Sequence, residues 1–417
     1  MKIGLTLLLV FSQVAFSHGS VNAPEKHVLD EHSSKKQIFF PNTEEYLTIS
    51  TDLHTHSVFS DGHVWPNIRV AEALKDGTDL IAITEHLEYQ PHLLDIPNKD
   101  KNKAFVEAYQ SVKNNELIVV NGVEITRDMP TGHINAVFIQ DANKLFKKDE
   151  SKKAEAEARV KEWLKNNSYE SNPEVLNHAA LTSLWPSEEA ISEANKQRAF
   201  VFWNHPMWSD QTKDGIARLS DFHKELIDKK LLHGIEIVNG DSYSKEAFQI
   251  AIENKLTLIG TSDVHNLIEW DYIEKDSHRP VTLVFTNNKN KNSIKRALFQ
   301  GRTVVWFKDS LIGLKQNLIP LLESCLSISS GKYLDDTNIL SIEINNNSGA
   351  SFILKNSSNY SFQNYDDLIS IDPKASVKLE IKTIEKLERL SLPFIVLNAL
   401  ETPKKNAKII LEYEVGK

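Results

Sequence analysis

The chain has 417 residues, a formal net charge of −9 and a single cysteine, Cys325. That length exceeds what one hydrophobic core usually organises, so one large domain and one smaller one are expected. The acidic balance argues against stable nucleic-acid binding, which needs clustered Lys and Arg. One cysteine excludes an intrachain disulfide framework and thiolate metal clusters, so any metal ligands must be His and carboxylate.

Residues 1–17 carry Lys2, an apolar stretch too short to span a bilayer comfortably, and small residues at Ala15 and Ser17. This pattern predicts a cleaved secretory signal, and with it an exported protein, periplasmic or secreted. A polar lead, 18–46, follows. Over 47–310 short apolar runs alternate with longer amphipathic or charged segments: "YLTISTDLHTH", "LIAITEH", "LIVVNGVEI", "HINAVFI", "FVFWNHP", "GIEIVNG", "LTLIGTSDVH" and "PVTLVFT". Strand followed by helix, repeated this often, predicts an α/β fold with a parallel sheet closed into a barrel. "DANKLFKKDESKKAEAEARVKEWLKNN" reads as a solvated helix inserted between strands. After "GRTVVWF" a helical connection is expected over 311–334. Alternating segments with Asn, Ser and Gly turns then predict a small β-sandwich-like domain over 335–417, capping the barrel. No apolar run after the signal is long enough to span a membrane.

The polar residues fall in a pattern along these runs. His54 and His56, His86, Glu124, His205, and Asp263 and His265 stand at or just beyond the C-terminal ends, whereas His133 opens its run. In (β/α) barrels that rim gathers catalytic groups from different strands. Residues i and i+2 of a strand share a face, so His54 and His56 can grip one ion, and Asp263 and His265 repeat the device. Imidazole and carboxylate suit Zn, Mn or Fe, and a carboxylate such as Glu124 can bridge two ions. Among fifteen histidines one His-X-His pair is weak, but six histidines and three acids beside strand ends form a candidate metal site.

The ordered motifs "DLHTHSVFSDG", "AITEH", "GVEI", "GHINAV", "NHP" and "TSDVH" resemble those of the PHP family, the polymerase and histidinol phosphatase superfamily, over about Leu47 to Trp306. The resemblance implies a distorted (β/α)7 TIM-like barrel with two to three divalent transition-metal ions, hydrolysing phosphate mono- or diesters of a phosphorylated small molecule. Carried over by position, His54, His56, Glu124 and Asp263 would hold one ion. Glu124, His133 and His205 would hold a second; Asp61, His86 and His265 would hold a third, with His63 competing for the place of Asp61. Two ions a few ångströms apart would hold a hydroxide nucleophile and neutralise the transferring group. Glu124 as the bridge and Asp263 as proton shuttle are the expected catalytic residues.

Arg279 and Arg127 are the candidates for binding substrate phosphate, each equally suited to a structural salt bridge. His278 reads as rim surface, Trp203 as core and Trp208 as a pocket wall. Two other readings compete: an amidohydrolase-type metal-dependent hydrolase, in which a carboxylated lysine commonly bridges the metals, and a catalytically idle metal-stabilised binding protein.

Overall fold

The computed structural model describes residues 38–113, 116–166, 172–272 and 277–416; the expected signal peptide and most of the polar lead lie outside them. The barrel strands are β1 (Leu47–Asp52), β2 (Leu80–Ile83), β3 (Ile118–Ile125), β4 (Ile134–Val137), β5 (Phe200–Trp203), β6 (Gly234–Asn239), with its hairpin return β7 (Ser242–Tyr243), and β8 (Thr257–Thr261). The β1–β2–β3 ladder is parallel, β4 is antiparallel to both β3 and β5, and β5–β6–β8 is parallel again. Strands β2, β4, β5 and β8 are buried along their whole length, as expected for strands covered on both faces.

The single antiparallel strand follows from chain length. Only 126–133 separate β3 from β4, and a parallel crossover needs about a dozen residues or more. Reversal puts the start of β4 on the same rim as the ends of its neighbours. His133, which precedes β4, therefore joins that rim.

Closure is uneven. The chain beyond β1 meets the chain beyond β8 through a parallel bridge at Thr55 and Val264, with Asp263 N donating to His54 O at 3.0 Å and His56 N to Val264 O at 3.1 Å. Below that bridge β1 pairs instead with antiparallel β9 (Val281–Thr286), which continues through β10 (Thr303–Phe307) to β11 (Ser310–Gly313). Strand β10 crosses close over β8, where a Cβ on Gly260 would stand 2.2 Å from Val305 Cγ1. This is the distortion of the seven-stranded barrel.

The expected helical connection at 311–334 is corrected. Only Lys315–Cys325 is helical; Ser310–Gly313 is a hairpin strand on β10, and Leu326–Tyr333 is β12, the first sandwich strand. "LSISSGKY" alternates with period two and contains a glycine, so it suits a sheet edge better than a helix. One sheet pairs β12, β13 (Ile339–Asn346), β17 (Ser376–Lys382) and β15 (Ser361–Phe362). The other pairs β16 (Leu368–Ile371), β14 (Phe352–Asn356), β18 (Arg389–Thr402) and β19 (Lys405–Glu414). Their inner faces, including Ile342, Leu379, Phe394 and Ile409, share one apolar core with Val281, Val304 and Trp306 of the barrel and with Leu318 and Leu322 of the helix. Parallel pairing of β11 with β18 joins the two halves into one sheet. Among the described residues no helix is long and apolar enough to cross a membrane.

Candidate metal centre

Six of the seven barrel strands deliver ligand-type side chains to the rim. His54 Nε2 and His56 Nε2 lie 3.0 Å apart. Both face Asp263 Oδ1, at 3.1 and 3.0 Å, and Glu124 Oε2, at 3.2 and 3.3 Å. The other oxygen, Glu124 Oε1, lies 2.9 Å from His133 Nδ1 and 3.3 Å from His205 Nε2. Asp61 meets His86 Nε2 at 3.3 Å and His265 Nε2 at 3.2 Å. His63 stands aside, bonded through Nδ1 to Asn266 Oδ1 at 2.7 Å, so Asp61 is the one brought into the cluster.

This donor set fits cations. Asp61 Oδ1 and Asp263 Oδ1 are buried with only imidazole nitrogens beside them, at 3.0–3.2 Å and without a well-aligned hydrogen bond, a costly state unless positive charge meets them. Three groupings each bring ligand atoms close enough to share an ion: His54, His56 and Asp263; His86, Glu124 and His133; and His56, Asp61, His86 and His265. All-nitrogen-and-oxygen sets of this kind suit Zn, Mn or Fe. Electrostatics agree. Burial disfavours charge on Glu124 and Asp263, yet the surrounding imidazoles hold both well below the usual carboxylate range. Burial likewise opposes protonation of His56, but Asp263, Glu124 and Asp61 raise it to about 10. The carboxylates thus demand positive charge at the centre.

The candidate ligands are held from behind. Glu236 on β6 accepts from His54 Nδ1 at 2.9 Å and from Thr261 Oγ1 at 2.7 Å through one oxygen. Through the other it accepts from His205 N at 2.7 Å and Asn239 Nδ2 at 2.9 Å. Gln211 Nε2 lies 3.0 Å from His205 Nδ1, and Thr126 Oγ1 2.6 Å from His86 Nδ1. The acceptors Glu236 and Thr126 Oγ1 hold the proton on Nδ1 of His54 and His86 and leave Nε2 of each to face the centre, whereas the Gln211 amide donor positions the His205 ring. Buried Arg69 staples two ligand-bearing loops, donating to His56 O at 2.8 Å and His265 O at 2.8 Å. His205 and Asp263 have φ of 26° and 50°, a strained region costing on the order of 1–3 kcal/mol each. Neither Glu236 nor Arg69 was read from the sequence as a site residue; a glutamate inside a strand covered on both faces was the available signal.

Three other expectations are corrected. Arg279 is fully buried, with Nη1 3.2 Å from Asp52 Oδ2 and Nε 2.7 Å from Asp76 Oδ2; the salt-bridge alternative is what the structure shows, and no face of the guanidinium reaches solvent. Arg127 is likewise committed, paired with Glu88 and donating to Thr126 O and Trp185 O at 2.8 Å each. His278 is not rim surface: it is buried and stacks on Trp306 with ring centroids 3.4 Å apart. Trp203 is core, whereas half-exposed Trp208 stands edge-on to His133 and His205 at 5.4 and 5.2 Å.

A distorted seven-stranded barrel whose rim converges imidazoles and carboxylates defines a metal-binding α/β barrel, here joined to a β-sandwich. Family models agree on both halves: a PHP domain matches residues 52–171 and an Ig-like domain matches 326–412. A two-domain protein from Bacteroides vulgatus, containing a predicted PHP-like metal-dependent phosphoesterase, is 32% identical with a TM-score of 0.75, covering 90% of this chain and 98% of its own. The chain belongs to the PHP superfamily and carries a C-terminal Ig-like domain. Two further solved structures match more weakly. One, from Bifidobacterium adolescentis, is provisionally assigned as a metal-dependent phosphoesterase (20% identity, TM-score 0.36, 53% of this chain and 89% of that one). The other is an amidohydrolase from Chromobacterium violaceum with bound sulfate and no metal (18%, 0.35, 52% and 87%). Neither bears on the argument. No curated protein matches the chain.

Proposed function

We propose that this protein hydrolyses phosphate mono- or diesters of small molecules, with His54, His56, Asp61, His86, Glu124, His133, His205, Asp263 and His265 holding two to three divalent ions. The observation that carries the reading is Glu124, whose two oxygens face different imidazole sets. When bound, ions there would supply Lewis-acid stabilisation of the phosphoryl group and activation of water.

The chain's own groups do the rest. Asp263 keeps its side chain partly open at the mouth, and Oδ2 is oriented by Asn239 Nδ2 at 3.1 Å. From there it accepts a proton from the attacking water as the P–O bond to the leaving group breaks. It then returns that proton to the leaving oxygen, giving an alcohol and phosphate from a monoester, or an alcohol and a phosphate monoester from a diester. Half-exposed Trp208, edge-on to His133 and His205, walls the mouth. An amidohydrolase reading would place a carboxylated lysine where Glu124 sits.

Release of p-nitrophenol from phosphate mono- and diesters, beside amide and lactone substrates and with Mn, Fe and Zn in turn, tests the reading. Turnover confined to amides or lactones, or none with any metal, would overturn it. Replacing Glu124 with Gln should cost several orders of magnitude in turnover and at least one ion. Export is part of the proposal: the mature chain recovered from its host should begin near His18 by mass spectrometry, and an intact Met1 would reverse this.

A further inference from the structure

A hollow of about 850 Å³ opens beside the loop that follows His86, lined by Gln90, Asn98 and Lys101, by apolar Leu93, Phe146 and Leu181, and by exposed charges of both signs, among them Lys148, Lys153, Glu150, Glu157 and Glu174. Of the polar lining, Gln90, Asn98 and Lys101 are only 2%, 6% and 6% exposed. Lys101 Nζ, both amide atoms of Gln90, and Asn98 Oδ1 have no hydrogen-bond partner among the described residues. Buried polar groups are nearly always paired, so unpaired ones converging on a cavity mark a place where something else meets them.

Each group states what it needs. The Phe146 ring lies 4.3 Å from Lys101 Nζ and favours the ammonium without supplying a counter-charge. Glu88 and Glu85, whose charges reach Lys101, are engaged elsewhere: Glu88 with Arg127 and Thr126 N, Glu85 with Ser57 and Ser60. Burial lowers the ammonium to about 8, leaving it mainly charged at neutral pH. Asn98 Nδ2 donates to Phe59 O at 3.2 Å, so its free atom is an acceptor that only a donor satisfies. Gln90 presents one donor and one acceptor. An anion without hydroxyls would meet Lys101 and the Gln90 N–H group but leave the Gln90 and Asn98 oxygens unpaired.

We propose that this hollow binds a hydroxylated organic anion, a sugar acid or sugar phosphate in class, with the anionic group on Lys101 and hydroxyls on Gln90 and Asn98. The hollow adjoins the metal centre along the chain. Tyr89 packs edge-on to His86 at 6.1 Å, and Asn98 holds the loop that carries Asp61. Assigning the ligand as the remote part of a substrate rests on the phosphoesterase reading; binding itself does not.

Calorimetric titration of chelator-treated protein with gluconate, glucose 6-phosphate, glucose and inorganic phosphate tests the site. The two hydroxylated anions should bind about tenfold or more tighter than glucose or inorganic phosphate, and Lys101→Met should remove that advantage. Gln90→Leu should weaken the hydroxylated anions by a larger factor than inorganic phosphate. Lys148→Met, at the same lining but paired with Glu150 at 2.9 Å, should change nothing. Absence of binding by the wild type, or binding indifferent to Lys101→Met in a folded variant, overturns the proposal. If that variant does not fold, mass spectrometry of reductively methylated wild type decides: glucose 6-phosphate must protect Lys101. In metal-loaded enzyme, a raised KM of Lys101→Met for glucose 6-phosphate but not for p-nitrophenyl phosphate identifies the ligand as part of the substrate. An unchanged KM identifies a separate small molecule. Binding without any phosphoesterase activity would instead count against the proposed function alone.

Discussion

Glu236 and His54 are both fully buried, and Glu236 Oε1 stands 2.9 Å from His54 Nδ1. That contact holds the proton on Nδ1 and turns Nε2 toward Asp263 and Glu124. The same carboxylate fixes the backbone of His205. Replacing Glu236 with Leu should therefore lower metal affinity about 10- to 100-fold while the barrel stays folded. Competition with a chromophoric chelator measures this; unchanged affinity would show that His54 needs no support.

Arg279 is expected to affect stability rather than substrate. Its removal strands Asp52, whose carboxyl burial already pushes up despite the neighbouring guanidinium. Arg279→Met should cost about 3–5 kcal/mol in urea unfolding, with KM unchanged in enzyme that remains folded. Adding Asp52→Asn should restore part of the loss. A raised KM with normal stability would return Arg279 to the substrate.

These two residues show where sequence reading succeeds and where it stops. The strands were legible because burial on both faces makes them continuous apolar runs, and the clustered imidazoles and carboxylates because they interrupt those runs at one end. Glu236 was passed over because "GIEIVNG" also fits a strand with one wet face, and nothing local says that both faces are covered. Arg279 was ambiguous because its partners lie 227 and 203 residues away. His133 opens its run instead of ending it, and only the short β3–β4 connection, by reversing the strand, brings it to the rim. The boundary at 326 was missed because a helix and an edge strand adjoin without a turn.

His223 gives a pH signature from outside the set of candidate ligands. It stacks on Trp203 at 3.8 Å, and its Nε2 donates to Thr131 O at 2.9 Å. Burial lowers its pKa to about 4, against an ordinary 6.5. Between those values the unfolded chain binds the extra proton, so stability is full above about pH 6.5 and falls as pH drops toward 4. The loss should approach about 3 kcal/mol. His233 is lowered similarly by burial and acts in the same direction, so the test is a difference. His223→Gln should flatten the stability slope over that window relative to wild type, and an identical slope would remove His223 as its source.

Gly62 closes the loop that presents Asp61. Its N–H donates to Ser57 O at 3.0 Å, and a Cβ there would stand 2.7 Å from both His56 C and Ser57 N. These are backbone atoms, which cannot swing aside as a side chain would. Gly62→Ala must therefore push the loop away from the strand end, carrying Asp61 from His86 and His265. Ser57 and Ser60, bonded to Glu85 on the same loop, would resist and localise the shift near Asp61. The expected result is selective: affinity at the Asp61 group falls by about tenfold or more, while the ion held by His54, His56, Glu124 and Asp263 remains. Elemental analysis across a chelator series should then show one ion released earlier than in wild type, with the rest unchanged. Simultaneous loss of all metal, or release indistinguishable from wild type, would show that the loop does not position a separate ion.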